Sequence, residues 1–211
     1  NNYLFKNDII SYLHNDKSKY RIYDILGPQN RWAAFNIENV QGYHPAKINI
    51  YNKLLDSINK RGFNIWPEGI LKLLNVKYLI MPFSDFSSDS FKIIKNGSMH
   101  YFGNQYNEYD GKIIPYYIYK YINHYPRLFF VKKLEFIKEN VIFDKILDTD
   151  FDPKETSYID IDKVNEFNFE YNMSSSVDII SWTPDLIEFS TDVKKESFLL
   201  FSEVYYPEGW N

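Results

Sequence analysis

Apolar residues in the first half of the chain recur at helical spacing in some segments and at strand spacing in others. Helical spacing occurs over residues 3–14, over the segment that follows Pro45 and over residues 67–74. Short apolar runs typical of strands occupy residues 20–26 and 76–81. The order helix, strand, helix, helix, strand predicts a small α/β layer with a mixed sheet.

Turn signals divide the middle of the chain into short strands. Asn96-Gly97 and Asp110-Gly111 are dipeptides typical of tight hairpin turns, so residues 91–122 are predicted to form a meander. Pro115 lacks a backbone N–H group, which favours an edge position for the strand that contains it.

The pattern changes near residue 150. A strand over 127–136 and a helix over 138–147 complete the first region, and the rest of the chain carries short strands without a helical pattern. These strands are predicted over residues 158–161, 167–171, 177–182, 186–189 and 198–205. We therefore predict an α+β chain, with an α/β subdomain over residues 1–150 and a β-sandwich-like, all-β subdomain over residues 151–211.

The last residues have the pattern of a strand that leads into a turn. An apolar run ends in Tyr205 and Tyr206, and a Pro-Glu-Gly turn and Trp210 follow. Such a turn normally leads into another strand, and Asn1 is not preceded by a Met. We expect both ends to continue in a longer polypeptide, with the β-rich subdomain truncated at its C-terminal end.

Composition narrows the class of protein. The 211 residues are 45% hydrophobic and 25% charged, as in a globular domain, and the net charge of -4 argues against a nucleic-acid partner. Aromatic residues make up 19% of the chain, which would suit a sugar-binding surface. The simpler interpretation is a composition bias that places Tyr and Phe at ordinary core positions, because strands favour aromatic residues.

Motifs for catalysis, metal binding and cofactor binding are missing from the sequence. The chain has no cysteine, and its four histidines do not have metal-ligand spacing. It also lacks the GxSxG, P-loop and GxGxxG patterns. Acidic pairs within residues 148–152 could serve a glycosidase, but alternating acids before a proline are more typical of a solvated turn. We predict no catalytic residue, no metal site and no cofactor.

Candidate ligand-binding residues lie around a predicted helix start, at an adjacent Arg-Trp pair and at one further arginine. A Gly-Tyr-His sequence precedes Pro45, where free N–H groups and an imidazole could bind an anion; backbone groups could equally satisfy this histidine. Arginines could bind a carboxylate or phosphate through paired hydrogen bonds, or form structural salt bridges. The predicted ligand-binding residues are Gly42, Tyr43, His44, Arg31, Trp32 and Arg127.

Five segments in order resemble the extracytoplasmic C-terminal region of the YfhO family of bacterial membrane proteins. They are RIYDI, NVQGYHPAKINIYNKLL, ILKLLNVKYLIM, YPRLFFV and FLLFSEVYYPEGW, and together they span nearly the whole chain. The resemblance implies a multi-pass protein similar to GT-C glycosyltransferases, which use lipid-linked sugars outside the membrane. In such enzymes the catalytic acid lies in an early loop that nothing here matches, so this chain is not expected to catalyse alone.

The implied function is recognition of an acceptor or a lipid-linked sugar during cell-envelope glycosylation. The implied partners are the membrane-embedded part of the same polypeptide and a lipid-linked sugar or cell-surface glycopolymer. The implied location is the extracytoplasmic face of the bacterial cytoplasmic membrane, with the loop around Tyr43 facing the membrane-embedded site. A non-catalytic carbohydrate-binding or structural module of the cell envelope remains the alternative.

Overall fold

The computed structural model describes residues 8–26, 30–42, 48–62, 66–86, 88–100, 112–165, 167, 169, 174–183 and 185–204. Within these ranges it contains four α-helices and ten β-strands, which confirms the predicted α+β class. The contacts divide the chain into two compact units. Unit 1 comprises Asn1–Ala46 and Leu74–His124, and unit 2 comprises Lys47–Leu73 and Tyr125–Asn211.

Unit 1 is built on a four-stranded mixed sheet. Its strands lie in the order β1-β2-β4-β3, with β1 and β2 parallel and the other neighbours antiparallel. The elements are α1 (Asp8–Asn15), β1 (Arg21–Asp24), a 3₁₀ helix (Arg31–Phe35), β2 (Val76–Met81), β3 (Phe91–His100) and β4 (Ile113–Tyr121).

The core of unit 1 lies against this sheet. β2 has a strand on each side, which explains why its sequence is a nearly continuous apolar run. Ile9 and Leu13, four residues apart on one face of α1, pack into the same buried cluster. The other members of the cluster are Ile22, Leu26, Trp32, Ile37, Tyr78, Ile80, Met99, Tyr116 and Ile118.

The predicted turn at Asn96-Gly97 is wrong, because both residues lie inside β3. Gly97 is paired with Tyr116, and a β-carbon on Gly97 would lie 2.7 Å from the Tyr116 hydroxyl oxygen. The glycine therefore makes room for an aromatic ring on the neighbouring strand. The other predicted turn, at residues 110–111, lies outside the described residues.

The edge position predicted for the strand of Pro115 is also wrong, because that strand, β4, lies between β2 and β3. The proline is tolerated because β2 pairs only with the later part of β4, from Tyr117 to Lys120. Pro115 itself is paired with Ser98 of β3. The missing N–H group therefore falls where β4 is bordered by a strand on one side only.

Unit 2 combines three helices with three two-stranded sheets. β10 pairs with β5 and β8 with β9, both antiparallel, and β6 pairs with β7 in parallel. The helices are α2 (Asn49–Lys60), α3 (Glu68–Leu73) and α4 (Glu139–Ile146). The strands are β5 (Leu128–Val131), β6 (Lys133–Ile137), β7 (Thr156–Asp160), β8 (Ser176–Trp182), β9 (Ile187–Asp192) and β10 (Phe198–Phe201).

Strand pairing differs from the predicted organisation in two respects. The single strand predicted over 127–136 is two strands, separated at Lys132, whose N–H donates to the Lys154 carbonyl (2.8 Å). β5 and β6 precede residue 150 yet pair with β10 and β7, which follow it. The units therefore do not coincide with the segments 1–150 and 151–211, because long-range pairing joins strands across that point.

Two further observations concern the strand predicted over residues 167–171 and the lengths of the described helices. Of the strand predicted over 167–171, only Phe167 and Phe169 are described, and neither lies in a strand. None of the helices in the described ranges has the length and apolar character needed to cross a membrane.

Candidate functional site

Two of the predicted ligand-binding residues, Arg31 and Trp32, bind a buried carboxylate of unit 1. The Arg31 guanidinium and the Trp32 indole N–H each donate to Asp24 Oδ2, both at 2.6 Å. Asp24, at the end of β1, is fully buried and also accepts the Leu26 N–H (2.9 Å). Arg31 in addition lies over the Trp32 ring, 4.9 Å from its centroid. Both side chains therefore fix the 3₁₀ helix to the sheet.

Gly42 lies next to this anchored segment. A β-carbon on Gly42 would lie 3.4 Å from Asn30 Oδ1, directly before the 3₁₀ helix. The structure thus brings Gly42 close to the segment that holds Arg31 and Trp32. Tyr43 and His44 lie outside the described residues.

Arg127 lies in unit 2 and has a structural environment. Its side chain has no solvent exposure, and its Nη1 lies 3.1 Å from Glu203 Oε1 and 3.3 Å from the Ser202 carbonyl oxygen. The guanidinium also lies over the Trp182 ring, 5.1 Å from its centroid. Because these contacts bury and neutralise the charge, Arg127 holds the packing of unit 2 and presents no surface to a ligand.

A cleft of about 270 Å³ lies at the C-terminal end of α1 in unit 1. Most of its polar side chains already have partners. His14 Nε2 lies 2.7 Å from the Phe35 carbonyl oxygen, Lys17 Nζ donates to the His14 carbonyl (2.8 Å), and the Tyr20 hydroxyl donates to the Leu13 carbonyl (2.7 Å). The bonds from Lys17 and Tyr20 satisfy two of the last carbonyl groups of α1, and the contact of His14 joins α1 to the end of the 3₁₀ helix.

Asp16 is the centre of the hydrogen bonds in this cleft. It accepts from Lys77 Nζ (2.6 Å), from the Tyr78 hydroxyl (2.7 Å) and from the N–H and hydroxyl of Ser18 (3.0 and 2.8 Å). Burial opposes ionisation, but the bonds from Lys77, Tyr78 and Ser18 outweigh it and hold the pKa of Asp16 well below its usual range. Burial and the bond to Asp16 raise the pKa of Tyr78. The hydrogen bonds of the cleft therefore hold the end of α1 against β2, which is a structural role.

A second concavity, here called the groove, lies between β5 and β8 in unit 2. Its volume is about 360 Å³. Six of its nine lining residues are apolar, and the other three have polar side chains. The lining residues are Pro126, Leu128, Phe129, Phe130, Lys154, Ser175, Val177, Asp178 and Ile179.

The three polar side chains of the groove differ from those of the cleft because they are not hydrogen-bonded to the protein. The Ser175 hydroxyl oxygen is buried and has no hydrogen-bond partner in the described part of the chain. The Asp178 carboxylate and the Lys154 ammonium likewise have no hydrogen bond or ion pair with any described residue. Only the Ser175 hydroxyl of the three is buried, because Asp178 is exposed and Lys154 half-buried, so water can reach both of these charged groups. Since buried polar groups in proteins are usually hydrogen-bonded, the Ser175 hydroxyl is the group that requires an explanation.

The backbone that carries Lys154 is held firmly. The Lys154 N–H donates to Asp152 Oδ1 (2.9 Å), and Asp152 also accepts from Lys72 Nζ and from the Tyr125 hydroxyl (both 2.7 Å). Burial opposes ionisation of Asp152, but the bonds from Lys72 and Tyr125 lower its pKa. The Lys154 ammonium lies 5.9 Å from the Tyr125 ring centroid. Lys154 thus has a fixed backbone and an ammonium group that can reach a ligand.

The groove combines donors, acceptors and apolar contacts in a small volume. A carboxylate accepts hydrogen bonds, an ammonium donates them, and a hydroxyl does both. Apolar walls with a few convergent polar groups are typical of small-molecule sites, and the volume lies at the lower end of their range of about 300–1,000 Å³. This arrangement suits a ligand with hydroxyl groups and an apolar face.

The sequence did not reveal the residues of the groove. Lys154 follows Asp152-Pro153, which reads as a solvated turn, and Asp178 occupies a polar position in an alternating strand. Only the tertiary contact between β5 and β8 makes these residues neighbours. No group of three or more His, Asp or Glu among the described residues could hold a metal ion.

Comparison with known proteins adds no relative. No protein-family model, no curated protein and no solved structure matches the chain. The relationship to the YfhO family therefore stays a prediction that depends on the five sequence segments.

Proposed function

We propose that this chain is a saccharide-recognition domain of a cell-envelope membrane protein similar to the YfhO family. In this proposal it binds the sugar of an acceptor or of a lipid-linked donor and does not itself make the glycosidic bond. The observation that carries the proposal is the groove, whose carboxylate, ammonium and buried hydroxyl have no hydrogen-bond partner among the described residues.

A neutral sugar satisfies each of these groups. Its hydroxyls can donate to Asp178 and accept from Lys154, and one hydroxyl can exchange a hydrogen bond with the buried Ser175 hydroxyl. The C–H face of a pyranose ring can pack against the apolar residues of β5 and β8. Hydrogen bonds to the two charged groups are worth about 1.5–3 kcal/mol each, and leaving Ser175 unsatisfied would cost about 1–3 kcal/mol.

The membrane context comes from the sequence resemblance. It supplies the proposed location, on the extracytoplasmic face of the bacterial cytoplasmic membrane, and the proposed partner, the membrane-embedded part of the same polypeptide. The alternative from the sequence, a carbohydrate-binding module without a role in transfer, uses the same groove. The two versions differ in whether sugar binding is needed for glycan transfer.

Binding of sugars to the chain tests the groove. Saturation-transfer NMR with a panel of neutral monosaccharides and disaccharides should identify a ligand, and titration should give its affinity. Asp178→Asn and Lys154→Met should each lower that affinity about tenfold, since each removes a charged hydrogen bond. Asp185→Asn and Lys194→Met, which change exposed residues outside the groove, should leave the affinity unchanged.

Two results would contradict the proposal. One is the absence of binding to every sugar in the panel. The other is binding of a zwitterion such as glycine betaine in place of sugars, which would show that the charges recognise opposite charges. If sugar binding is found, glycan transfer by the full-length protein with Asp178→Asn separates the two versions: reduced transfer supports the accessory role, and unchanged transfer supports the independent module.

A further inference from the structure

Large apolar side chains are exposed along the β8–β9 hairpin. Five of them between residues 179 and 193 are more than a third exposed, led by Ile180 at 69% and Leu186 at 56%. The others are Ile179, Phe189 and Val193. Single exposed apolar residues are common, but several on one short hairpin are typical of an interaction surface.

Backbone hydrogen bonding and strand pairing determine the positions of Ile180 and Leu186, the two most exposed of these residues. Ile180 is the extra residue of a β-bulge, because the pairing with β9 shifts between Ile179 and Ser181. Leu186 closes the turn: its carbonyl accepts the Thr183 N–H (2.9 Å), and its own N–H donates to Thr183 Oγ1 (3.0 Å). The turn is thus stabilised by its own hydrogen bonds and not by burial of Ile180 or Leu186.

The same hairpin is acidic. Between Ser174 and Val193 the sequence contains four acidic residues and no Lys or Arg. The carboxylates of Asp185 and Glu188 have no hydrogen bond or ion pair with any residue that the structure describes. Glu188 is paired with Ser181, next to the bulged Ile180. We call Ile180, Asp185, Leu186 and Glu188 the hairpin tip.

The hairpin is attached to unit 2 through a different residue. Trp182 packs edge-on against Phe201 of β10, with ring centroids 5.7 Å apart, and lies under Arg127. It is paired with Ile187. Because these contacts do not use the hairpin tip, substitutions at the tip should leave the fold intact.

We propose that the hairpin tip is a docking surface for a protein partner whose contact surface has Lys or Arg residues around aliphatic side chains. Ile180 and Leu186 supply the apolar contact, and Asp185 and Glu188 select a basic rim. A second copy of this chain fits poorly, because its tip carries the same negative charges. An anionic membrane surface fits poorly for the same reason. The inference is independent of the saccharide groove.

The test uses the whole chain and two fluorescent model peptides of equal length. One is an amphipathic Leu/Lys helix and the other a Leu/Glu helix with the same apolar face. Fluorescence anisotropy should show binding of the Leu/Lys peptide, with weakening at high ionic strength. Ile180→Ser with Leu186→Ser should reduce the affinity about tenfold, and Asp185→Asn with Glu188→Gln should reduce it by a similar factor.

Matched control variants make the result specific. Ile113 and Ile122 in unit 1 are 66% and 54% exposed, so Ile113→Ser with Ile122→Ser removes equally exposed apolar groups elsewhere. Asp162→Asn removes an exposed charge of unit 2 away from the hairpin. These controls should bind the peptide as the unmodified chain does, and circular dichroism should show that all variants are folded.

The proposal is overturned if the tip variants bind as well as the unmodified chain, or if the Leu/Glu peptide binds equally well. It is also overturned if the tip binds phosphatidylcholine vesicles but neither peptide, which would indicate a lipid surface. Self-association that the tip variants abolish, measured by sedimentation, would instead identify a second copy as the occupant.

Discussion

The cleft of unit 1 and the groove of unit 2 are similar in size but differ in how their polar groups are satisfied. In the cleft, Asp16 accepts four hydrogen bonds and the histidine and tyrosine bind backbone carbonyls. In the groove, Lys154, Ser175 and Asp178 have no hydrogen-bond partner among the described residues for their side-chain polar groups.

Because of this difference, we assign the polar groups of the cleft to the stability of the fold and those of the groove to ligand binding. A ligand that enters the cleft has to replace hydrogen bonds that already hold α1 to β2, so it gains little. A ligand in the groove forms hydrogen bonds that the protein does not make itself. Substitutions in the cleft should therefore lower stability, and substitutions in the groove should lower affinity.

The largest effect is expected at Arg127, a fully buried charge that is paired with Glu203. Arg127→Met leaves Glu203 without its buried partner and should lower the free energy of unfolding by about 3–5 kcal/mol. Arg61→Met, which breaks the exposed pair with Asp144, is the matched control and should cost about 0–1 kcal/mol. Chemical denaturation measures both. Equal losses in the two variants would contradict the structural role of Arg127.

Asp16 and Asp178 give the direct comparison of the two regions. Asp16→Asn weakens the bonds from Lys77 and Tyr78 and should lower the free energy of unfolding by about 1–3 kcal/mol. Asp178→Asn should change it by less than about 0.5 kcal/mol, because the carboxylate has no partner among the described residues. Thermal denaturation of the two variants is the measurement. A larger loss of stability in Asp178→Asn than in Asp16→Asn would contradict the structural role of the cleft and the binding role of the groove.

Acid should lower the stability of both units through their hydrogen-bonded carboxylates, with a smaller effect than these substitutions. The folded-state pKa of Asp16 and of Asp152 is lowered, so each contributes stability above the unfolded-state value of about 3.9, and this stability is lost as the pH falls through the folded-state pKa. Burial, and then the charge of Lys77, lower the pKa of His124, so a smaller loss begins as the pH falls below about 6.5.

Urea denaturation at several pH values from about 7 to about 3 measures this dependence. Asp16→Asn should flatten the acid part of the curve. Stability that stays constant below about pH 4 would contradict the hydrogen-bonding roles of Asp16 and Asp152.

Local sequence patterns predicted much of the fold. β2 was predicted with the bounds that the structure has, because its run of apolar residues is nearly continuous. The strand begins directly after Asn75, a residue with positive φ. α2 and α4 also follow from amphipathic spacing. The turn at Asn96-Gly97 was wrong because the glycine serves a contact with Tyr116, which is distant in sequence.

The sites were harder to predict because they depend on contacts between distant segments. Arg31 and Arg127 were candidates as rare side chains able to bind an anion, and Trp32 as an aromatic residue able to bind a sugar. Each contacts a carboxylate of the protein itself. The groove joins residues from near 126–130, 154 and 175–179. A pattern along the chain cannot show which polar groups lack a partner, because that depends on the packing of these segments.

The most direct test of the account is the affinity of Asp178→Asn for the sugar identified in the binding panel, measured beside its melting temperature and beside Asp16→Asn. The account predicts that Asp178→Asn loses about tenfold in affinity with an unchanged melting temperature, and that Asp16→Asn melts lower but keeps its affinity. Unchanged affinity in Asp178→Asn, or equal loss in both variants, would contradict the assignment of the groove as the binding site.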